Sequence, residues 1–379
     1  MKSKKDTRRN NNEGSIFYRE DKGLWCAIVQ VGFTADNQRK RKTIYSKDKN
    51  ELLEKKRQLE AELVTGTYID STNISTGDFL NQWLDTVCKD SLRPSTYVRY
   101  AGIVSNHLIP DFGRIPLQKL NPIHIQSLYS KRLRTGLTPS SVCYIHAVLS
   151  KALSQALKWG LVNQKVTDRV EKPKTFKKEM KVLDQDQVKI FINTAKGDNY
   201  YPLYILALTT GLRQGELVGL QWDDIDLAAG IISVKRSLKE LGGKLILGEP
   251  KSRSGFRSVT IPQIAIDALN LQKSWQEVKG FTTFKYVFTD TRGNLVRVQN
   301  IVKRSFKKII KQAGLPDIRF HDLRHTHATL LLLQGVNPKI VQERLGHSSI
   351  SLTLDTYSHV LPNMQKQVTK ELDNIFNSF

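Results

Sequence analysis

Two polar segments without apolar periodicity divide this 379-residue chain, and they constrain its fold more than any other feature. The first, TGTYIDSTNIST at 65–76, is a run of small turn-forming residues, and the second, RVEKPKTFKKEMK at 169–181, is rich in lysine. Both compositions are typical of linkers. We therefore predict three domains, at 1–66, 76–168 and 182–379, which is consistent with roughly 150 residues per domain.

The segment before the first linker alternates in the manner of short strands. GSIFYREDKGLWCAIVQVGF and KRKTIYS carry β-branched and aromatic residues between turn sequences, and NELLEKKRQLEAEL has helical spacing. We predict a small three-stranded β-sheet followed by one helix. The basic run RKRK at 39–42 suits contact with phosphates, and equally suits a solvated edge strand that resists aggregation.

The segment between the linkers has only helical signals and predicts an all-α, four-helix domain. Asp78, Ser95 or Thr96, and Asn121 with Pro122 are candidate helix starts, and Gly160 is a candidate stop. Basic residues alternate with tyrosines here, which favours a nucleic-acid surface only slightly, because solvated faces look similar. These residues are Arg93, Arg99, Lys131, Arg132, Arg134 and Lys151, with Tyr97, Tyr100 and Tyr129.

The segment after the second linker predicts a mixed, mainly α domain with a small β-sheet. LDQDQVKIFINTA, YPLYILALTTG and RQGELVGL have helical spacing, whereas GIISVKRSL and FRSVTIP resemble strands. From NIVKRSFKKIIKQAG onward the pattern is helical again. No GxxxxGK[ST] phosphate-binding loop occurs, so we expect no nucleotide cofactor.

The charge of the chain predicts an anionic partner. Lysine and arginine outnumber aspartate and glutamate by 59 to 36, a formal net charge of +23 at pH 7, and nucleic acid is the first candidate. No apolar run approaches the roughly 18 residues of a spanning helix, so we expect no membrane contact and no signal peptide. Cys26, Cys88 and Cys143 lack CxxC pairing, which favours free thiols in a cytoplasmic compartment.

The stretch RFHDLRHTHATLLLLQG, at 319–335, places three imidazoles and two guanidinium groups at the start of an apolar helix. His321, Arg324 and His325 have the spacing of one helical face. A metal site on His321, His325 and His327 is disfavoured, because the neighbouring arginines repel a divalent cation and no HExxH sequence is present. A phosphate site suits the same residues better, since guanidinium groups bind two phosphate oxygens at once.

The next segment, GVNPKIVQERLGHSSISLTLDTYSHV, predicts two short helices joined tightly. Pro338 follows a capping asparagine, Gly346 ends the first helix, and Tyr357 lies at the end of the second. His347 stands in the turn between them. Taken alone, such a histidine is more often a helix-dipole partner, and a lone tyrosine is more often a packing residue.

The sequences HDLRHT, LGHSS and DTYSHV, in this order, resemble the C-terminal box of the tyrosine recombinases, the phage integrase family. Upstream, TTGLRQGELVGLQWDDID supplies the arginine of that family pattern at Arg213, and EPKSRSGFRSVTIP supplies its lysine at Lys251, with Arg253 as the competing position. The motifs span residues 182–360. The segment 76–165 resembles the family's core-binding domain, and the first 65 residues resemble, more loosely, an arm-binding domain.

The resemblance implies a metal- and nucleotide-independent strand transfer. Arg213 and Arg324 would bind the non-bridging oxygens of the scissile phosphate, and Tyr357 would attack the phosphorus to form a 3′-phosphotyrosine. Lys251 would protonate the leaving 5′ oxygen, while the positive charges of Arg213 and Arg324 would stabilise the transition state.

The resemblance further assigns the base to His321 and a phosphate hydrogen bond to His347. We interpret Glu216 as a partner that orients an arginine, and His325 and His327 as supporting or packing residues. No metal and no cofactor is expected.

The implied partners are double-stranded DNA, at core and arm attachment sites, and three further copies of the chain in a homotetramer that passes through a Holliday junction. An excisionase or a host DNA-bending protein is a further candidate partner, and the implied address is the bacterial cytoplasm. A helical stripe at the C-terminus packs either in its own domain or in a neighbour. It consists of Val368, Leu372, Ile375, Phe376 and Phe379.

Three alternatives compete with an integrase. A metal-dependent transposase or nuclease would hold magnesium on Asp223, Asp224 and Asp226. A DNA-binding regulator without catalysis would lack one of the core residues, and none is missing. A type IB topoisomerase or a resolvase of the same tyrosine chemistry would not need the N-terminal sheet domain.

Overall fold

The computed structural model describes residues 16–33, 36–65, 68, 74–176, 180–250, 252–280, 285–357, 369, 372–373 and 376. The contacts divide the chain into two compact units, unit 1 at Met1–Phe176 and unit 2 at Lys177–Phe379. Unit 1 contains the predicted domains 1–66 and 76–168, and that finer division stays a prediction. Among the described residues no helix is both long and apolar enough to span a bilayer.

Unit 1 begins with the predicted three-stranded antiparallel sheet, formed by β1 (Ile16–Arg19), β2 (Leu24–Phe33) and β3 (Arg39–Ser46) in that order. Helix α1 (Lys49–Val64) begins at Asp48, whose side chain accepts a hydrogen bond from the backbone of Asn50. Cys26, Ala27 and Val29 of β2 are buried, as are Leu52 and Leu59 of α1, so these apolar side chains are shielded from water. The sheet-plus-helix prediction is confirmed.

Four helical segments follow in unit 1, as predicted. The first two each contain a wide π-helical turn that does not end the helix. The segments are α2 (Thr76–Trp83) continued by a π turn and α3 (Lys89–Ser91), α4 (Pro94–Ile103) continued by a π turn and α5 (Ile109–Phe112), α6 (Pro122–Arg134) and α7 (Pro139–Lys158). Short 3₁₀ turns lie at Leu117–Lys119 and Val166–Arg169.

Two helix starts in unit 1 differ from the prediction. Helix α2 is capped by Ser75, and Asp78 lies in the first turn, where its carboxylate accepts a hydrogen bond from the Ser75 hydroxyl. Helix α4 has Pro94 at its first position and its N-cap at Arg93, two residues before Ser95 and three before Thr96, the predicted caps. Proline fits a first helical position because it needs no backbone donor there. The Asn121 start and the Gly160 stop are confirmed.

Unit 2 combines nine helices of the described residues with two small antiparallel sheets. The sheets have the strand orders β4-β5-β8 and β6-β7. The helices are α8 (Gln185–Ala195), α9 (Tyr201–Thr210), α10 (Gln214–Val218), α11 (Gln263–Val278), α12 (Val298–Ile301), α13 (Lys307–Gln312), α14 (Asp322–Leu333), α15 (Pro338–Leu345) and α16 (Ile350–Tyr357). The strands are β4 (Ile225–Asp226), β5 (Ile231–Val234), β6 (Ser237–Leu241), β7 (Lys244–Gly248) and β8 (Arg257–Thr260).

Two features of unit 2 escaped the sequence analysis. GIISVKRSL is not one strand, because β5 pairs with β8 while β6 pairs with β7. The break falls at Lys235 and Arg236, whose side chains both turn to the buried Asp224. The 16-residue helix α11 was not predicted, although its apolar positions recur at helical spacing behind Pro262.

The C-terminal stripe lies largely outside the described residues. Leu372 and Phe376 are described and exposed, at 47% and 70% of their surface. Val368, Ile375 and Phe379 lie outside the described residues, so the choice between packing in the same chain and packing in a neighbour stays open.

Candidate active site

Arg213 lies at the start of α10, directly after α9 has been ended by Gly211. Gly211 adopts a left-handed φ of 64°, which suits glycine and turns the chain sharply. The backbone N–H of Arg213 donates to Glu216 at 3.0 Å, and its Nη1 donates to the other oxygen of the same carboxylate at 2.8 Å. A three-residue spacing therefore fixes this guanidinium, which remains 38% exposed.

Arg324 lies in the first turn of α14 and is only 3% exposed. Its Nη1 donates to the carbonyl of Gly211 and its Nη2 donates to the carbonyl of Leu345, both at 2.7 Å. No ion pair is formed by Arg324 within the part of the chain that the structure describes. A buried guanidinium without an ion-pair partner is costly, so an anionic ligand that bound beside it would be stabilised by its charge.

Three arginines meet at the end of α15. The carbonyls of residues 344, 345 and 346 are the orphan acceptors at the negative end of this helix. Arg257 Nε donates to the first at 2.7 Å, Arg324 to the second, and Arg213 Nη2 to the third at 3.0 Å. One helix terminus thus places three guanidinium groups side by side.

The electrostatics of this cluster are unbalanced. Burial, together with the charges of Arg213 and Arg257, lowers the pKa of Arg324 to about 9, although the charge of Glu216 opposes that fall. Burial opposes ionisation of Glu216, but the charges and hydrogen bonds of Arg257 and Arg213 together hold the carboxyl pKa below its usual value. Three guanidinium groups around one carboxylate leave positive charge that an anion would neutralise.

His347 follows Gly346, which ends α15 with a φ of 65°. His347 is 8% exposed, and its Nδ1 lies 2.8 Å from the hydroxyl oxygen of Thr353 on α16. Burial, then the charges of Arg324 and Arg213, lower the His347 pKa to about 4. The imidazole is therefore neutral at pH 7, and with Nδ1 engaged by a hydroxyl, Nε2 can donate a hydrogen bond.

Tyr357 is the last residue of α16 and is 1% exposed. Its hydroxyl oxygen lies 2.9 Å from Nδ1 of His325. Burial raises the Tyr357 pKa to about 12, although the charge of Arg324 opposes that rise. The His321 ring packs edge-on against His325, with centroids 5.1 Å apart, and burial lowers the His321 pKa to about 4. The structure thus brings Arg213, His321, Arg324, His347 and Tyr357 to one region.

Comparison with known proteins agrees with this geometry. Residues 181–364 match the phage integrase family, and residues 76–133 match the phage integrase N-terminal SAM-like domain. The chain is 30% identical to a protein of Caldanaerobacter subterraneus named tyrosine recombinase XerC-like. The alignment is 385 positions long and covers 95% of this chain and 98% of that protein. The chain belongs to the tyrosine recombinase family.

This recombinase is also 29% identical to the ICEBs1 integrase of Bacillus subtilis, covering 94% of this chain and 98% of that integrase. The resemblance of the sequence motifs to the tyrosine recombinases is therefore confirmed. The activity of the protein is site-specific DNA recombination.

Solved structures show the same fold. The Tn1549 transposon integrase in complex with a circular intermediate DNA has a TM-score of 0.69 at 21% identity, over 78% of this recombinase and 99% of that chain. A lambda integrase tetramer bound to a Holliday junction has a TM-score of 0.58 at 18% identity, over 92% and 97% of the two chains.

The remaining residues of the recombinase that could have held a metal have separate partners. His327 Nδ1 lies 2.7 Å from the carbonyl of Leu208, and its Nε2 accepts from Arg344, whereas His325 contacts Tyr357. Among the three aspartates, Asp224 pairs with Arg236 at 2.6 Å, and Asp226 accepts from a backbone N–H. Within the described residues no group of three or more acidic, histidine or cysteine side chains has a metal-binding arrangement.

Lys251 lies outside the described residues, and its role stays a prediction. The competing Arg253 is exposed, in a 3₁₀ turn that ends before β8. The residue that sequence analysis missed is Arg257, which binds Glu216 at 2.9 Å and is 7% exposed. Alternation in FRSVTIP could have found it, because Arg257 shares its strand face with the buried Val259 and Ile261.

Proposed function

We propose that this recombinase cleaves DNA with Tyr357, while Arg213 and Arg324 bind the non-bridging oxygens of the scissile phosphate. The observation that carries the proposal is the cluster of three guanidinium groups on the end of α15, with Glu216 as the carboxylate paired to two of them. A phosphodiester repels an oxygen nucleophile through its own charge, and preorganised guanidinium groups offset that charge in the transition state.

His347 and Lys251 complete the proposed chemistry at the phosphate and the leaving group. With Nδ1 at the Thr353 hydroxyl, His347 can donate from Nε2 to a phosphate oxygen. The family resemblance assigns to Lys251 the proton that the leaving 5′ oxygen needs, and places a base at His321. The resulting 3′-phosphotyrosine conserves the energy of the broken bond, so rejoining needs neither a nucleotide nor a metal.

The decisive test uses a nicked suicide duplex, in which the cleaved strand leaves a short fragment that diffuses away. We expect a covalent protein–DNA adduct on a denaturing gel when the full chain is incubated with this duplex in excess chelator. Tyr357→Phe removes only the hydroxyl, so it should abolish the adduct while DNA binding persists. An adduct with Tyr357→Phe, or loss of the wild-type adduct in chelator, contradicts the proposal and favours the metal-dependent alternative.

We further propose that residues 1–66 bind arm-type DNA sites and residues 76–168 bind core sites. On β3, Arg39, Lys40 and Arg41 are exposed and therefore accessible to DNA. In the helical part, the guanidinium of Arg99 lies 3.6 Å above the ring of Tyr144. Footprinting with and without residues 1–66 tests this division: removal should erase protection of arm sites and leave core protection intact.

The proposed working form is a homotetramer on two DNA segments in the bacterial cytoplasm. The support is fold likeness to the lambda integrase tetramer bound to a Holliday junction. Accumulation of a four-way junction with a mutant blocked after the first exchange, and a tetramer-sized complex in gel filtration with DNA, would test the assembly. Whether an excisionase or a DNA-bending protein joins the complex is a separate outcome of recombination assays with and without host extract.

A further inference from the structure

His325 is the residue that contacts the reactive oxygen of Tyr357. Its Nδ1 lies 2.9 Å from the Tyr357 hydroxyl oxygen, within hydrogen-bond distance, and the two ring centroids are 5.8 Å apart. His325 stands one residue after Arg324 in the first turn of α14, so the same helical turn supplies both a phosphate anchor and a nitrogen at the nucleophile. The sequence alone predicts only a supporting or packing role for His325.

His321, to which the family resemblance assigns the base, has a different environment. Its ring packs at 89° against the ring of His325, with the centroids 5.1 Å apart. No hydrogen bond between His321 and Tyr357 is present among the described residues, whereas His325 makes one. Proton transfer follows existing hydrogen bonds, so geometry favours His325 over His321 as the group that exchanges a proton with Tyr357.

Burial makes a partner for this proton necessary. The pKa of Tyr357 rises to about 12, which makes free phenolate at pH 7 rarer than phenol by about five orders of magnitude. A neighbouring nitrogen that takes the proton as the new bond forms removes the need for a preformed phenolate. Nδ1 can accept this proton only when the neutral His325 ring carries its own proton on Nε2.

We propose that His325 is the general base of strand cleavage, an inference that rests on Tyr357 being the nucleophile. The Tyr357 proton passes to His325 Nδ1 while the Oη–P bond forms. The P–O5′ bond breaks, its electron pair stays on the 5′ oxygen, and that oxygen takes a proton from the general acid proposed at Lys251. On rejoining, the attacking 5′ hydroxyl returns its proton to that acid, and His325 returns its proton to the departing Tyr357 oxygen.

The test separates the nucleophile from the leaving group. We would measure the rate of adduct formation by the full chain on two nicked suicide duplexes, one natural and one with sulfur in place of the leaving 5′ oxygen. A thiolate leaves without a proton, so sulfur should restore the rate of Lys251→Ala. His325→Asn should lose about 10²- to 10⁴-fold on both duplexes, because asparagine keeps a hydrogen-bond acceptor near the Nδ1 position but cannot take the proton.

Several outcomes would overturn the proposal. A His325→Asn rate within about threefold of wild type contradicts a base at this position. Restoration of His325→Asn by the sulfur duplex would place His325 on the leaving-group side. A large loss on the sulfur duplex for His321→Asn, with none for His325→Asn, would return the base to His321.

Two further variants guard against misfolding and against failure of the underlying assignment. His325→Gln is the second substitution if His325→Asn changes the unfolding midpoint or the affinity for the uncleaved duplex. His325→Leu tests mere positioning: activity in His325→Asn but not in His325→Leu contradicts proton transfer. If Tyr357→Phe abolishes the adduct and His325→Asn does not slow its formation, Tyr357 is the nucleophile and only the assignment of the base to His325 is contradicted. An adduct formed by Tyr357→Phe contradicts both assignments.

Discussion

Glu216 and Arg257 form an ion pair 2.9 Å long in which both side chains are buried, with 3% and 7% of their surfaces exposed. The pair joins α10 to β8, and Arg257 continues to the carbonyl of Arg344 at the end of α15. Because the other oxygen of Glu216 holds Arg213, the position of that guanidinium depends on the buried pair. Glu216 thus holds the Arg213 guanidinium in the position from which it donates to the Gly346 carbonyl.

Glu216→Gln should destabilise the protein and slow cleavage together. The substitution keeps the shape but leaves two arginines without their carboxylate, and breaking a buried ion pair costs about 3–5 kcal/mol. We expect a lower midpoint of urea unfolding and a lower rate of adduct formation. Asp186→Asn is the matched control, because Asp186 pairs with Lys189 on the exposed face of α8. An equal loss in both variants would contradict the special role of the buried pair.

Gly211→Ala should be more damaging than the same change at another left-handed glycine. A Cβ at Gly211 would lie 2.6 Å from Cδ2 of His327 and 2.8 Å from a methyl group of Leu345, while the Gly211 carbonyl holds Arg324. Gly314 has nearly the same φ, 63° against 64°, but a Cβ there meets nothing within 4 Å.

The two glycine variants share the left-handed strain, which is worth about 1–2 kcal/mol. Crowding at Gly211 adds roughly 1–3 kcal/mol and displaces the Arg324 acceptor. The unfolding temperature of Gly211→Ala should therefore be lower than that of Gly314→Ala. The rate of adduct formation should fall only in Gly211→Ala. Equal stabilities would mean that the region around Gly211 yields to the added methyl group.

Local spacing explains why most of the fold and several site positions were predictable. Gly211 and Gly346 are glycines at left-handed helix ends, which sequence patterns indicate. Arg213 and Glu216 are three residues apart, a spacing that brings side chains together at the start of a helix. The alternation of apolar and polar residues predicts strands β1 to β3 in the same way. Each of these signals depends on residues that are near one another in the chain.

Contacts between distant residues were not predictable from the same patterns. Arg257 meets Glu216 across 41 positions, and His325 meets Tyr357 across 32. Both depend on how β8, α14 and α16 pack, which a single sequence does not encode in its periodicity. This is why the contact of Tyr357 with His325 rather than His321 emerged only from the structure, although both histidines lie on the same helical turn.

His347 should make the stability of the protein fall as the solution is acidified. Its folded-state pKa, about 4, lies below the ordinary value of 6.5, because burial and two arginines disfavour the imidazolium. The unfolded chain binds this proton more readily, so the stabilisation is complete above pH 6.5 and is lost as pH falls toward 4. Between pH 7 and 4.5 this histidine should contribute about 2 kcal/mol of the loss.

His347→Gln checks that sign, since glutamine does not titrate. Urea unfolding at several pH values should show a shallower fall in the free energy of unfolding for the variant than for wild type. The comparison is made between pH 7 and 4.5 within each protein, so a constant effect of the substitution cancels. A parallel dependence in both proteins would mean that His347 is protonated in the folded state at its ordinary pKa.

Arg324→Lys should abolish most strand cleavage although the charge is retained. The guanidinium reaches the carbonyls of Gly211 and Leu345 at once, at 2.7 Å each, and keeps further N–H donors for a phosphate. A lysine ammonium cannot span both carbonyls in a plane, so its charge would be misplaced. We expect a loss of at least about 10²-fold in the rate of adduct formation, with DNA binding weakened far less.

The matched control is Arg292→Lys, the same chemical change at an exposed position of unit 2. It should leave the rate of adduct formation within about twofold, because an exposed arginine loses little when lysine replaces it. Orthovanadate, which adopts the five-coordinate geometry of phosphoryl transfer, should raise the unfolding temperature of wild type and not of Arg324→Lys, since a ligand stabilises the state that binds it. Cleavage at wild-type rates by Arg324→Lys would show that charge alone, without the planar fork of donors, is what the phosphate needs at this position.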